Sequence, residues 1–520
     1  MSNQNLFAAL RAAFPADLDS VAIEVADGPC AGAAYTWADL ARGTAMLANL
    51  LASLGLPEGS RVAVQTDKSV EALMLYLAVL RAGYVFLPLN TAYQTAEIEY
   101  FIANAEPAVV VCSPKAFARV SRIAFTHGSS HVFTLGEARD GTLLERAAHH
   151  SEQHLPALRQ AGDLAAILYT SGTTGRSKGA MLSHGNLLSN ARTLQQYWDW
   201  QPDDVLIHAL PIFHVHGLFV ASHGALLNGS KMIWFGKFDP KAAIARMAEA
   251  TVMMGVPTLY VRMLAEPTLT HEATARMRLF ISGSAPLLVE TFDSWIARTG
   301  HTLLERYGMS ETVMLTSNPC RPADGPRRRG TVGPALPGVD VRAVDYGASA
   351  AGTPCAAGEV GNIEVRGPNV FAGYWRMPEK TQEEFTTDDH GQKWFKTGDV
   401  GKIEADGYVT IVGRSKDLII SGGYNVYPAE IEGFLNELPG VAESAVVGVP
   451  HPDFGEAVVA VLVAQAGVTL DSAALLARIK GQIANFKVPK HLFVVADLPR
   501  NAMGKVQKNL LREQHKGLFA

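Results

Sequence analysis

The chain has 520 residues, 48% of them hydrophobic and 18% charged, with a formal net charge of -5. That length exceeds what one hydrophobic core usually serves, so at least two domains are expected, and the mild acidity excludes a global pull toward nucleic acid or anionic membrane. Four cysteines (Cys30, Cys112, Cys320, Cys355) lie far apart without CxxC spacing, which argues against a disulfide framework or zinc site and for a reducing, cytoplasmic setting.

The opening stretch MSNQNLFAALRAAFPADLDS carries no basic leader or cleavage pattern, so secretion is not expected. From about residue 36 to 310, helical and strand-like patterns alternate. Thr36 and Asp39 have capping-box spacing ahead of a helix. RVAVQT, YVFLPL, DVLIHALP, KMIWFG, VMMGVP and RLFISG read as strands, each followed by a helical pattern. The longest apolar run, ALMLYLAVL (72–80), is well under the ~20 residues that span a bilayer and reads as a buried helix. This alternation predicts an α/β body, a largely parallel sheet covered on both faces and possibly built of two similar layers.

Residues 321–375 turn Gly- and Pro-rich with short β-type runs, which predicts an antiparallel β subdomain. Pro428 then opens a helix with Ile431, Phe434, Leu435 and Leu438 on one face. The strands SAVVGVP and AVVAVLVA, a helix over 471–486 and the strand HLFVVADLP follow. The expected division is a large N-terminal unit, 1–413, and a small C-terminal α+β unit, 414–520, joined where Ser415 and Lys416 interrupt two strand-like runs.

One stretch gains little from burial. ILYTSGTTGRSKGAMLSH (167–184) follows an apolar strand with six Ser, Thr or Gly residues and precedes a helical pattern. Its glycines let backbone N–H groups approach a ligand, Thr170, Ser171, Thr173 and Thr174 add hydroxyls, and Lys178 adds a cation: an anion cradle at a strand C-terminus, where α/β folds place ligands. GTTGRSKG does not supply the Walker A pattern, which disfavours a P-loop NTPase. The bland alternative is a flexible Ser/Gly-rich surface linker.

With ERYGMSET (305–312), KTGDVG (396–401), GRSKDLIISGGYNVYPAEIE (413–432) and NAMGKVQK (501–508) in the same order, the chain resembles the AMP-forming acyl-CoA synthetases and their adenylating relatives over nearly its whole length. The resemblance implies a large N-terminal domain and a small mobile C-terminal one, with ATP and coenzyme A as co-substrates and Mg²⁺ as cofactor. It implies that Thr170, Ser171, Gly172, Thr173, Thr174, Gly175 and Lys178 cradle phosphates, that Thr170 and Glu311 hold Mg²⁺, and that Lys505 bridges the acyl carboxylate and the α-phosphate. Asp399 would accept from the ribose hydroxyls with Arg414 beside it. Gly283, Ser284, Ala285, Glu305, Arg306, Tyr307 and Gly308 would border the nucleotide, the tyrosine ring as a stacking face. The small unit would turn about Lys416 and carry Gly422 and Gly423 to the pantetheine tunnel.

The acid is read from two segments. LPIFHVHGL (210–218) places His214 and His216 near the expected acid site, with His214 the choice for closing over the adenylate. In GVPTLYVRMLAE (255–266), Arg262 interrupts an otherwise apolar helix. If it faces inward, its fork of donors pairs with a second carboxylate, and a dicarboxylic acid is predicted. If it lies on the outer face, it is a solvated arginine. SGSAPLL, TSNP and GVPHPDFGEAVVAVLV look most like malonyl-CoA synthetases, whose pocket pairs such an arginine with a serine in the place of Ser284. The resemblance therefore implies malonate as substrate, with methylmalonate also accepted. The alternatives are a synthetase for another short-chain, medium-chain or aryl acid, and a nucleotide-binding module without turnover; Glu311 and Lys505 argue against the latter, because binding alone needs neither. No nucleic-acid or membrane partner is expected, the arginines 327–329 reading as a solvated face. Kinship makes Lys505 a candidate for control by a lysine acetyltransferase and deacetylase.

Overall fold

A computed structural model describes residues 3–170, 177–347, 352–422, 424–480, 482–501 and 504–519. The expected alternation produces two sheets. The first has eight strands in the order Val313–Ser317, Leu303–Met309, Leu279–Ser282, Val252–Gly255, Val205–His208, Lys231–Trp234, Val21–Val25, Ala34–Thr36, parallel in its middle and antiparallel at both ends. The second has seven, Gly373–Tyr374, Lys178–Ser183, Leu164–Thr170, Val85–Pro88, Arg61–Gln65, Val109–Cys112 and His131–Thr134. Helix Val70–Arg81 is buried along its whole length, Glu71 and Arg81 included, which is why its apolar stripe runs all the way round. Thr36 caps helix Trp37–Ser53 through Asp39 in the expected box. Among the described residues, no helix is long and apolar enough to cross a membrane.

The antiparallel sheet has six strands and lies further along the chain than expected, over 340–414 rather than 321–375. Residues 321–339 contain one short 3₁₀ turn, Pro322–Asp324, and Gly373–Tyr374 leaves to extend the second sheet beside Lys178–Ser183. The Gly/Pro-rich texture marks the loops of this region, so it dates the sheet too early.

Strand Val409–Arg414 ends this sheet, Ser415–Asp417 makes one 3₁₀ turn, and Ile419–Ser421 already belongs to a five-stranded sheet with Tyr424–Val426, Gly455–Ala464, Val441–His451 and His491–Val495. The buried apolar side chains after residue 418 form clusters of their own on the two faces of that sheet, Ile431, Leu435 and Leu438 on one, Leu498 and Leu511 on the other. Helix Ser472–Ile479 is shorter than the expected 471–486, because Lys480 already has an extended backbone.

Candidate active site

Predicted residues converge where the parallel strands end and the C-terminal sheet faces them. Strand Lys393–Ile403 pairs antiparallel with Val409–Arg414 so that Asp399 sits directly opposite Arg414. Arg414 Nε lies 2.8 Å from Asp399 Oδ1, and the Tyr307 hydroxyl donates to Asp399 Oδ2. Gly398 takes a left-handed backbone, φ 72°, at the turn preceding the carboxylate.

Thr170 and Lys178 face each other across the last rung of the antiparallel pair that flanks the Ser/Gly-rich loop. Ser171, Gly172, Thr173, Thr174 and Gly175 lie outside the described residues. Lys178 Nζ donates to Glu384 at 3.1 Å and stands 4.3 Å from the centre of the Tyr374 ring. The Tyr374 hydroxyl donates to Glu311 Oε1 at 2.9 Å. Burial pushes the Glu311 carboxyl above its ordinary pKa, against the Tyr374 bond. Tyr374 and Glu384 escape a reading of the sequence; Tyr374 arrives only because a two-residue strand crosses to the other sheet.

Leu279–Ser282 and Leu303–Met309 run parallel with Ser282 opposite Glu305. Glu305 and Arg306, successive in one strand, point to opposite faces. Glu305 Oε1 accepts from the Leu287 amide at 3.2 Å, and burial pushes its carboxyl up to about 8. Arg306 is 3% exposed and lies against Gly283, where a Cβ would fall 2.5 Å from its Cζ. Its Nε and Nη2 have no partner among the described residues, and burial pushes its pKa down to about 9. Next to it Ser284 has a left-handed backbone, φ 71°, a conformation costing a non-glycine residue ~1 kcal/mol or more, and its hydroxyl meets His216 Nδ1 at 3.2 Å. Ala285 follows at the rim. Gly308 is fixed by its own hairpin, since a Cβ there would strike the Val313 carbonyl.

His216 is fully buried, while His214 is partly buried and its Nδ1 accepts from the His216 amide at 3.3 Å. Burial first and the Arg306 charge second push His214 down to about 4 and His216 well below its usual range, so both rings are neutral at neutral pH. Arg262 is not brought to Ser284. Helix Pro257–Leu264 buries Leu259, Tyr260 and Met263, and Arg262 leaves on the exposed side, its guanidinium 4.9 Å from the Phe238 ring centre and donating to the Phe238 carbonyl at 3.4 Å. Helix phase, set by the buried triplet, exposes position 262 at the mouth of a cavity that Thr258, Asn501 and Gly504 also line, and among the described residues no hydrogen bond joins it to Ser284. Arg306 lies buried against Gly283, beside Ser284 and the two histidines.

From the facing sheet, Gly504 approaches Thr258, whose Oγ1 would lie 3.1 Å from an added Cβ. Lys505 reaches the cleft in contact with solvent, yet enclosed enough that burial and Arg414 push its pKa down while Asp399 pulls it up. Lys416 stands nearby, pushed down to about 8 by burial and by Arg414, with Lys505 and Lys178 adding to the effect. Lys178, Arg414, Lys416 and Lys505 thus concentrate positive charge between the two sheets, the setting a polyphosphate needs. Gly422 is remote from them, in a left-handed turn beside exposed Tyr424 and Phe454; Gly423 lies outside the described residues. A cavity of about 560 Å³ opens alongside, lined by Lys68, Pro211, Phe213, Phe238, Arg262 and Arg500 among others.

A family model described as AMP-binding enzyme matches residues 16–375, and one described as AMP-binding enzyme C-terminal domain matches 430–505. The chain is 34% identical to a malonate–CoA ligase of Arabidopsis thaliana, over 88% of this chain and 78% of that protein. It is equally identical to a feruloyl-CoA synthase of an Amycolatopsis species, over 93% and 94%. The crystal structure of ATP-bound MatB from Rhodopseudomonas palustris, 55% identical with all of both chains covered, superposes with a TM-score of 0.94, and the apo form of the same protein with 0.82. The fold is that of adenylate-forming enzymes, in an arrangement nearer the nucleotide-bound one. With matches spanning both sheets that close the cationic cleft, the chain belongs to the AMP-binding enzyme family and is an AMP-forming acid–thiol ligase that uses ATP and coenzyme A.

Proposed function

We propose that the protein is a malonate–CoA ligase: malonate and ATP give malonyl-adenylate and pyrophosphate, and coenzyme A then gives malonyl-CoA and AMP. Methylmalonate is the expected weaker substrate. The observation that carries this reading is Arg306, a guanidinium 3% exposed with two of its nitrogens, Nε and Nη2, unmet among the described residues. Leaving buried charged donors without acceptors is costly. A planar carboxylate fits the fork of donors, so a diacid whose second carboxylate lies against Arg306 and Ser284 satisfies the floor, whereas a monocarboxylic acid leaves it unmet. Arg306 takes the inner role that the sequence assigned to Arg262. Kinship to malonate–CoA ligases supports the same substrate.

A carboxylate is a poor electrophile because thiol attack would expel oxide; adenylation substitutes AMP as the leaving group. Positioning the acid and neutralising the phosphates are what the chain must do. Lys505 reaches between acid and α-phosphate, Lys178 and Thr170 meet the outgoing phosphates, and Asp399, held by Arg414 and Tyr307, offers its remaining lone pairs to the ribose. The oxygen donors of Glu311 and Thr170 suit a hard divalent cation, Glu311 being a buried carboxylate with lone pairs open beyond the Tyr374 bond. Mg²⁺ held there would neutralise phosphate charge. Neutral His214 closes the acid side without adding charge.

The second step needs thiol access where Lys505 stands. The unit after residue 413 turns about Lys416, withdrawing Lys505 and bringing Gly422 and Gly423 in, while the cavity beside Phe213 and Phe238 admits the thiol. Acetylation of Lys505 would remove its charge and stop the first step. The four free cysteines fit a reducing, cytoplasmic setting.

Pyrophosphate release across malonate, methylmalonate, butyrate and ferulate tests the reading, with Lys505→Ala expected to cost ~10²–10³-fold on every acid. Malonate should lead by at least tenfold, the scale of one charged hydrogen bond; butyrate or ferulate matching it overturns the substrate, and an undiminished Lys505→Ala rate overturns the mechanism.

A further inference from the structure

A second enclosed cation, part-buried, lines the cavity beside the acid pocket and has no role in the chemistry described so far. Lys68, in the loop between strand Arg61–Gln65 and helix Val70–Arg81, points its ammonium at three neutral acceptors: His208 Nδ1 at 3.0 Å, the His208 carbonyl at 2.8 Å and the Phe235 carbonyl at 2.7 Å. It also stands 4.3 Å from the Trp234 ring centre. Burial lowers the pKa of this ammonium while Asp27 raises it, and three acceptors match the three N–H groups of its charged form.

His208 passes this contact on. Its Nε2 lies 3.0 Å from the Gly217 carbonyl and 3.0 Å from Ser222 Oγ, whose hydroxyl itself donates to the Gly217 carbonyl at 2.9 Å. Nε2 therefore carries the proton, which leaves Nδ1 as the acceptor facing Lys68. Gly217 and Ser222 lie in a π-helical turn, His216–Ser222, pressed so closely on the strand exit that a Cβ on Gly217 would strike the Pro211 carbonyl. A π turn is rare beside an α turn and occurs frequently at functional sites. Its first residue, His216, is the one on Ser284.

We propose that Lys68 is a positioning residue for the acid pocket: its ammonium fixes the tautomer of His208, His208 clamps the π turn, and the turn holds His216 against Ser284. Losing the ammonium frees the His208 ring, and a relaxed α turn rotates His216 away from the pocket. The proposal rests on the acid pocket lying at Ser284, not on which acid fills it.

The test uses the full-length enzyme with its best acid. Lys68→Met should raise KM for the acid about tenfold, the effect of one charged hydrogen bond on an equilibrium, while KM for ATP and coenzyme A stays within about twofold; Lys68→Gln, keeping two donors, should recover part of the loss. In a His216→Ala background, Lys68→Met should add less than about twofold, because the two act in one chain. An unchanged acid KM, a rise shared by all three substrates, or a full additional loss in the His216→Ala background overturns the proposal. His216→Ala with unaltered acid KM would instead overturn the pocket itself. Should Lys68→Met not fold, ¹⁵N imidazole spectra of the wild type decide: His208 as the Nε2–H tautomer supports the strut, and the Nδ1–H or doubly protonated ring refutes it.

Discussion

Asp399 at the nucleotide end of the cleft has Arg414 on one oxygen and Tyr307 on the other, and Lys178 already has Glu384. Arg306 and His216 at the acid end keep polar atoms that no described residue meets. Groups that satisfy one another form a template whatever binds; groups left unmet in a buried place cost on the order of 1–3 kcal/mol each, recovered only when a ligand of matching charge arrives. On the proposed reading, the first arrangement suits a nucleotide common to every member of a family and the second discriminates among acids. Affinity for ATP and choice of acid would then rest on different physical footings in one cleft.

Arg306→Leu should break that comparison most sharply. On the proposed reading it lowers kcat/KM for malonate by ~10²–10³-fold, with butyrate changed less than about tenfold and Arg262→Ala costing less than either on malonate; steady-state pyrophosphate release checks all three. Equal losses on both acids would mean that the floor is structural rather than selective. A milder effect is expected from Tyr307→Phe, because Asp399 keeps Arg414: a rise in KM for ATP of about fivefold, near one neutral hydrogen bond, with the ratio of malonate to butyrate unchanged. The smallest is one of stability. The Glu305 carboxyl keeps its proton to about 8 when folded, against 4.5 ordinarily, so the folded state holds a proton that the unfolded one has released, and wild-type stability falls as pH rises between those values. Glu305→Gln imitates the protonated form and removes that slope; melting temperatures at pH 6 and pH 8 should lie closer together in the variant than in the wild type.

Local rules reached the elements and halted at the faces. The Thr36–Asp39 box and the continuous apolar run of 72–80 were readable because each depends on neighbours in sequence. Arg262 was not, since its direction follows from Leu259, Tyr260 and Met263 filling the core and from Phe238 receiving the guanidinium. Arg306 is read with the nucleotide through the resemblance of ERYGMSET as a whole; that it and Tyr307 face opposite ways from one strand is a matter of pleat that the motif does not state. Tyr374 and Glu384 have no local signal at all; distant strand pairing delivers them to Lys178. The Gly/Pro texture of 321–375 announced loops, and the sheet they connect runs to 414.

Arg512, in the closing helix Lys508–His515, grips Asp417 at 2.6 Å, the last residue of the turn Ser415–Asp417. On the proposed rotation about Lys416, the tail is thus fastened to its own pivot. In the proposed rotation the carboxyl terminus sweeps with the lobe as a single rigid arm, so a dye attached there would trace each half-reaction as a change in distance, and shortening the chain before that helix would unlatch the arm rather than merely trim it.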